Sequence, residues 1–129
     1  MIRNGIIHAE LARHLVALRH TDTFVICDSG LPLAAETPCV DLGYRYGQPR
    51  FADVVAAVLP ELAIETSWIS RQMIEVNQNC LASLKVHGLD PDPLEHDDFK
   101  QRVRTAKFAV RTGEATYFAN VLCRAGVAF

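Results

Sequence analysis

The hydrophobic positions along the chain follow two spacings, one typical of helices and one typical of strands. Across residues 7–18 the apolar residues recur every three or four positions with charged residues between them, which predicts an amphipathic first helix. A continuous apolar run follows at residues 24–27, and its β-branched residues favour a buried strand. Turn residues at 28–30 end that run, so Asp28 is predicted to lie where the strand meets the surface.

The rest of the chain continues this alternation of helices and strands. Further helices are predicted at 51–58, 77–86 and 96–103, and further strands at 40–44, 63–69, 108–110 and 120–123. The proline-rich stretch at 89–93 is too short to link two domains, and no internal repeat is visible. This order predicts one α/β domain over residues 1–129, a three-layer α/β/α sandwich with a mixed central sheet.

Composition narrows the possible classes of function. Half of the 129 residues are hydrophobic and 22% are charged, which is typical of a globular domain. The net charge is −2 and no basic stripe is present, which argues against a nucleic acid partner because phosphate contacts need clustered Lys and Arg. There is no signal-peptide pattern and no apolar run of membrane-spanning length, so we expect a cytoplasmic protein with no membrane partner.

The cysteines and the early histidines do not form a metal site by their spacing. Cys27, Cys39, Cys80 and Cys123 lie far apart and make no C-x-x-C pair, which predicts reduced core thiols rather than a disulfide framework or a zinc site. His8, His14 and His20 are six residues apart, so successive rings on a helix would point about 120° apart and could not share one metal ion. We expect His8 and His14 to be solvated surface residues.

His20 and Asp28 flank the predicted buried strand and are the first candidates for chemistry. Ligands bind at the carboxyl ends of strands in open α/β sheets, and histidine exchanges protons near neutral pH. An extended chain would place the two residues about 23–27 Å apart, too far for one small ligand. Either a turn at residues 21–22 folds His20 back, or the two residues meet by another route, such as a neighbouring subunit.

Three blocks of sequence, the first of which contains His20 and Asp28, form a recognisable pattern. The first block, H-T-D-T followed by V-I-C-D-S-G-L-P, covers residues 20–32, and H-D-D-F-K follows at 96–100. The third block consists of T-G-E at 112–114, F-A-N at 118–120 and A-G-V-A-F at 125–129. In order and spacing the chain resembles the D-ribose pyranase and L-fucose mutarotase family over nearly its whole length, and most resembles the pyranase branch. The common hydrolase, metalloprotease and nucleotide-binding motifs are absent.

The resemblance implies a cytoplasmic isomerase that interconverts cyclic forms of a free sugar without cofactor or metal. For the pyranase branch these are the β-pyranose and β-furanose forms of ribose. By position in the motifs, His20 would be the catalytic acid/base, and the sugar-binding residues would be Asp28, His96, Lys100, Phe118, Ala119 and Asn120. Family members form ring-shaped homo-oligomers, typically decamers, with the pocket at a subunit boundary. Such an assembly would bring His20 and Asp28 of different subunits together.

Two departures from the family pattern bear on the choice of sugar. The family usually has tyrosine where this chain has Phe118, and Tyr117 would point the other way in an extended stretch. Arg19 replaces the usual glycine before the histidine. The alternatives are a mutarotase for L-fucose or another sugar, a sugar-binding subunit without turnover, and a phosphocarrier that uses His20 as phosphoacceptor.

Overall fold

A mixed sheet runs through the middle of the molecule and carries helices on both faces. The computed structural model describes every residue from Met1 to Phe129. The helices are α1 (Ala9–Val16), α2 (Phe51–Val58), α3 (Arg71–Val76), α4 (Gln78–Lys85) and α5 (His96–Val103), with a short 3₁₀ helix at Leu59–Glu61. The strands are β1 (Thr23–Cys27), β2 (Cys39–Asp41), β3 (Ile64–Ser70), β4 (Asp92–Leu94), β5 (Phe108–Arg111) and β6 (Val121–Ala125). None of the helices is long and apolar enough to cross a membrane.

Strand β1 lies inside the sheet and has a neighbour on each side. The strand order is β2-β5-β1-β6-β3-β4. Strand β1 runs parallel to β5 and antiparallel to β6, while β2 and β4 form the two edges. Since β1 has a neighbouring strand on both sides, only its two ends are free.

Alternate residues of β1 pack into different layers. Phe24 and Ile26 join the larger core cluster, in which apolar residues of α1, α2, α3 and α4 cover one face of the sheet. Val25 and Cys27 join the smaller cluster on the other face, where α5 contributes Phe99. This is the period of two expected of a strand buried on both faces. The predicted α/β/α sandwich with a mixed sheet is confirmed.

The structure contains two elements that the sequence patterns did not predict. Strand β4 lies in the stretch interpreted as a proline-rich break, and it pairs with β3 at the sheet edge. An edge position tolerates Pro93 because a strand there needs hydrogen bonds on one side only. Helix α3 has six residues, with Met73 its one buried side chain, so it is too short for a helical period to be recognised.

His8 lies on the surface as expected, whereas His14 does not. His8 lies on the surface and caps α1, because its Nδ1 accepts a hydrogen bond from the backbone N–H of Leu11 at 3.2 Å. His14 is largely covered, since its ring stacks on Phe108 of β5 with the centroids 4.8 Å apart. The expectation of a solvated His14 is therefore wrong, because α1 packs with this residue against the sheet.

All four cysteines are free thiols. Cys27, Cys80 and Cys123 are buried, as predicted, whereas Cys39 is exposed at the start of the edge strand β2. Burial raises the pKa of both Cys27 and Cys123 to about 12. These two thiols therefore stay protonated at neutral pH and behave as apolar core groups.

Candidate active site

A cavity opens at the carboxyl end of β1. Its volume is about 310 Å³, within the range of small-molecule sites. The wall consists of residues from the loop after β1, the start of α5 and the segment between β5 and β6, namely 28–32, His96, 114–118 and Asn120. Ligands bind at this end of the strands in open α/β sheets, which is where the sequence predicted Asp28 to lie.

Asp28 and Asn120 form a reciprocal pair on the floor of the cavity. The side-chain Oδ1 of Asn120 accepts a hydrogen bond from the backbone N–H of Asp28 at 2.8 Å, and its Nδ2 donates to Asp28 Oδ2 at 3.0 Å. The backbone N–H of Gly30 donates to Asp28 Oδ1 at 2.9 Å. The carboxylate is therefore held in one orientation, and each of its oxygens keeps acceptor capacity for a ligand hydroxyl.

The loop after β1 is fixed by the neighbouring strand β5. Arg111 ends β5 beside Cys27, and its Nη1 donates to the carbonyl oxygens of Ser29 and Leu31 at 3.0 and 3.3 Å. The hydroxyl of Thr112 donates to the Cys27 carbonyl at 2.9 Å. These long-range contacts give the loop one position although its sequence is that of a turn.

Glu114 is a buried carboxylate in the wall that the sequence did not single out. Its Oε2 accepts from the backbone N–H of Phe51 at 3.0 Å, and its Oε1 accepts from the N–H and hydroxyl of Thr116 at 3.2 and 2.9 Å. Burial raises the pKa of Glu114, but these hydrogen bonds together outweigh burial and hold the pKa below its usual value. Because both oxygens are occupied, Glu114 anchors the wall rather than exchanging protons. The only hint in the sequence was its place in the T-G-E block.

The wall segment that contains Thr116 and Tyr117 is also held by a residue at the start of α4. Asn77 caps α4 through its Oδ1, and its Nδ2 donates to the Thr116 hydroxyl and the Tyr117 carbonyl, both at 2.8 Å. Asn77 is itself buried. The residues that carry the aromatic side of the cavity are thus fixed between the sheet and the junction of α3 with α4.

His96 and Phe118 form the aromatic side of the cavity. Their rings meet edge to face, with the centroids 5.0 Å apart and the planes at 85°. Desolvation, with a further contribution from the charge of Lys100, lowers the pKa of His96. Its Nδ1 is buried and has no hydrogen-bond partner in the chain. A buried polar atom of this kind can be satisfied by a ligand hydroxyl.

The backbone at Phe118 changes the expectation for Tyr117. Phe118 has a φ of 59°, in the left-handed region, so this stretch is not extended. As a result Tyr117 and Phe118 both line the cavity, with their ring centroids 6.5 Å apart. The condition under which Tyr117 would point away, an extended stretch, is therefore not met, and Tyr117 borders the cavity with a largely exposed side chain.

Two of the predicted binding residues lie outside this cavity. Lys100 borders an adjoining hollow beyond Pro32, and its Nζ lies 3.0 Å from Asp97 Oδ1. Ala119 is fully buried and its side chain packs in the larger core cluster. The structure therefore brings together Asp28, His96, Phe118 and Asn120, and places Lys100 one turn of α5 further on.

His20 lies at the opposite end of β1. Its side chain is 53% exposed, and its Nε2 is 3.5 Å from Glu65 Oε2. It is not among the residues that line the cavity. The turn at residues 21–22 therefore does not fold His20 back into the cavity that Asp28 lines.

The groups in the cavity wall suit a ligand rich in hydroxyl groups. A carboxylate, an amide and an imidazole nitrogen provide donors and acceptors, while aromatic rings offer apolar faces. No three His, Cys, Asp or Glu side chains come together in an arrangement that could hold a metal ion. The arrangement is one that binds and orients a small polar molecule.

Comparison with known proteins agrees with this geometry. Residues 1–128 match the RbsD / FucU transport protein family. The chain is 41% identical to D-ribose pyranase 1 of Rubrobacter xylanophilus, over all of both chains. It is 35% identical to Bacillus subtilis RbsD solved in complex with D-ribose, with a TM-score of 0.94 over all of both chains. Fucose mutarotase of Streptococcus pneumoniae, solved with L-fucose, has the same fold, with 21% identity and a TM-score of 0.73 over 95% of each chain. The chain belongs to the RbsD / FucU transport protein family.

Proposed function

We propose that this chain, over residues 1–129, is an isomerase that interconverts the β-pyranose and β-furanose forms of D-ribose without a cofactor. The observation that carries the proposal is the cavity at the carboxyl end of β1, with Asp28, His96 and Asn120 in its wall. It lies in a chain that matches a D-ribose pyranase over its full length and a ribose complex at a TM-score of 0.94.

The reaction needs only proton transfers. Ring opening removes the proton of the anomeric hydroxyl, breaks the bond between the anomeric carbon and the ring oxygen, and delivers a proton to that oxygen. The open-chain aldehyde then rotates, and a different hydroxyl of the same sugar attacks the aldehyde carbon to close the other ring. His20 is the acid/base that moves these protons, and a positioned group of this kind accelerates such a step about 10²–10⁴-fold.

The cavity residues hold the sugar during these steps. Asp28 accepts hydrogen bonds from hydroxyls, Asn120 contributes through its backbone and side chain, and His96 offers its unpartnered Nδ1. Phe118 packs against the apolar face of the sugar. The backbone of the next residue, Ala119, lies beside the sugar. Lys100 is a further donor if it leaves Asp97 and reaches past Pro32.

A homo-oligomer, of which a decamer is the expected form, completes the site. Within one chain His20 and Asp28 lie at opposite ends of β1, so the His20 that serves a cavity comes from a neighbouring subunit. The exposure of His20 supports this arrangement, since its ring is accessible to a second copy. We place the protein in the cytoplasm, with a monosaccharide as its partner and no nucleic acid.

Saturation-transfer NMR on D-ribose tests the proposal. The chain is expected to increase exchange between the pyranose and furanose signals, and His20→Ala is expected to abolish that increase. His87→Ala, on the turn after α4, is the matched histidine control and should exchange ribose like the unmodified chain. If His20→Ala exchanges ribose at the unmodified rate, the role of His20 is wrong.

The same experiment separates the alternatives. Exchange of L-fucose but not of D-ribose would indicate a mutarotase instead. Binding of ribose without any added exchange would indicate a sugar-binding subunit. Transfer of phosphate to His20 from a phosphorylated donor would indicate a phosphocarrier.

A further inference from the structure

Strand β3 carries one extra residue where it runs beside β6. Ile64 pairs with Ala125 and Thr66 pairs with Arg124, so Glu65 between them has no partner across the ladder. Bulges of this kind re-aim a side chain and are frequent next to active sites. The backbone also packs closely here, since a Cβ atom at Gly126 would lie 3.3 Å from the Cβ of Glu65.

The carboxylate of Glu65 lies between a guanidinium and an imidazole. Its Oε2 is 3.0 Å from Arg124 Nε and 3.5 Å from His20 Nε2. Arg124 is held in turn, because its guanidinium lies 5.8 Å from the centroid of the Trp68 ring and its Nη2 donates to the Thr66 hydroxyl at 3.4 Å. Glu65 therefore forms an ion pair with Arg124, and the same carboxylate oxygen lies near the His20 ring.

The turn that carries His20 is attached to the same pair of strands. The backbone N–H of Thr21 donates to the Ala125 carbonyl at 3.0 Å, and the N–H of Ala125 donates to the Asp22 carbonyl at 2.8 Å. Ala125 is also the residue that pairs with Ile64 at the bulge. The backbone of β6 thus sets the distance between His20 and Glu65.

We propose that Glu65 is a positioning residue for His20, held in place by Arg124. This inference rests on the proposed role of His20. By contacting Nε2, the carboxylate fixes the ring and leaves Nδ1 facing outward for the sugar in a neighbouring subunit's cavity. It also stabilises the imidazolium that forms when His20 accepts the proton of the anomeric hydroxyl, as the carboxylate of a catalytic triad does.

The other charged groups of this turn are engaged elsewhere. The guanidinium of Arg19 donates to two carbonyl oxygens at the end of α1, at 3.0 and 2.8 Å. The carboxylate of Asp22 accepts from the N–H of Arg19 and pairs with Lys107. Glu65 is therefore the charged group in contact with the His20 ring, and Arg124 lies against the same carboxylate oxygen.

The test measures ribose exchange against pH in two variants, each of which removes one charge. Glu65→Gln removes the negative charge beside the ring, so the acidic limb of the profile should move to lower pH. The maximal rate should fall about tenfold because the ring loses its orientation. Arg124→Gln removes the positive charge and should move the acidic limb to higher pH. A purely structural role would not produce shifts of opposite sign.

Helix α1 supplies a matched control. Glu10 lies between Arg13 and His14, with its Oε1 at 2.6 Å from Arg13 Nη2 and 3.1 Å from His14 Nε2. The cluster has the same three residue types but lies away from the His20 turn. Glu10→Gln is expected to leave the pH profile of exchange unchanged.

An NMR titration of the His20 ring gives a second readout that does not require activity. Opposite shifts of its midpoint in Glu65→Gln and Arg124→Gln support the proposal. If the unmodified chain exchanges ribose and His20→Ala does not, yet Glu65→Gln matches the unmodified chain in both readouts, the role of Glu65 is overturned and the proposed function stands. If the unmodified chain exchanges no sugar, the proposed function fails and the ring titration alone decides for or against Glu65.

Discussion

The two ends of β1 are built from different kinds of interaction. At the carboxyl end, Asp28 and Asn120 are joined by two hydrogen bonds and lie among buried groups such as Glu114. At the amino end, His20 is half exposed and its side chain lies near the partly exposed Glu65. The end proposed to bind the sugar is therefore part of the folded interior, whereas the end proposed to move protons projects from the surface.

Because of this difference, substitutions at the two ends of β1 should affect folding stability and catalysis differently. Exposed ion pairs contribute about 0–1 kcal/mol to folding, whereas a buried polar group left without its partner costs about 1–3 kcal/mol. A change at His20 should therefore affect turnover without affecting the fold. A change at Asn120 should affect both, because the groups that bind the sugar are the groups that hold the loop.

The largest expected effect is on turnover at the exposed end. His20→Ala should lower the rate of ribose exchange about 10²–10⁴-fold, because the proton shuttle is lost. The free energy of unfolding should stay within about 0.5 kcal/mol of the unmodified value, as for surface substitutions generally. Saturation-transfer NMR and urea unfolding measure the two quantities on the same sample. A clear loss of stability would contradict the contrast between the two ends.

The next effect is at the buried end. Asn120→Ala leaves the backbone N–H of Asp28 without its acceptor and should lower the free energy of unfolding by about 1–3 kcal/mol. Ribose affinity, measured by NMR titration, should fall in the same variant because the carboxylate loses its fixed orientation. Asn79→Ala, on the exposed side of α4, is the control and should change neither quantity. Unchanged stability in Asn120→Ala would show that the pair does not support the loop.

The sequence predicted the parts of the fold that depend on local pattern. The apolar run of β1 and the helical spacing of α2 involve residues close together in the chain, so Thr23–Cys27 and Phe51–Val58 were predicted nearly to the residue. Asp28 followed from the turn residues after β1. The resemblance, rather than the pattern, pointed to His96 and Asn120.

The rest of the site depends on contacts between distant segments. Glu114 binds the backbone of Phe51, 63 residues away, and no local spacing indicates such a partner. The bulge at Glu65 exists only because β3 pairs with β6, and the left-handed backbone at Phe118 only because its segment is held from both sides. Pairing and register decide these features, and a single sequence does not display them.

The third prediction concerns the acid stability of the buried end. The pKa of Glu114 in the folded chain lies below its ordinary value of 4.5, so its ionised form stabilises the fold above that pH. This stabilisation is lost as the pH falls through the folded-state pKa. Glu114→Gln should therefore lower the free energy of unfolding by about 1 kcal/mol at pH 7, with a smaller difference at acidic pH. Urea unfolding between pH 7 and pH 3 measures this.

An exposed carboxylate provides the comparison for Glu114. Glu36 lies on the surface of the loop after Leu33, and Glu36→Gln should leave the pH dependence of unfolding as it is. If Glu114→Gln has the same acid profile as Glu36→Gln, the hydrogen bonds from Phe51 and Thr116 do not stabilise the ionised carboxylate.

The smallest expected effect is a change in the pKa of His96, and it tests whether Lys100 belongs to the sugar site. Desolvation is the main reason that the pKa of His96 is lowered, and the positive charge of Lys100 is the second. Lys100→Met should therefore raise the pKa of His96 only part of the way towards its ordinary value, because only the smaller cause is removed. An NMR titration of the His96 ring measures the change, with Lys85→Met on α4 as control. A shift accompanied by weaker ribose binding would make Lys100 part of the buried sugar site. A shift with unchanged binding would leave it as a remote charge that only contributes to the lowered pKa of His96.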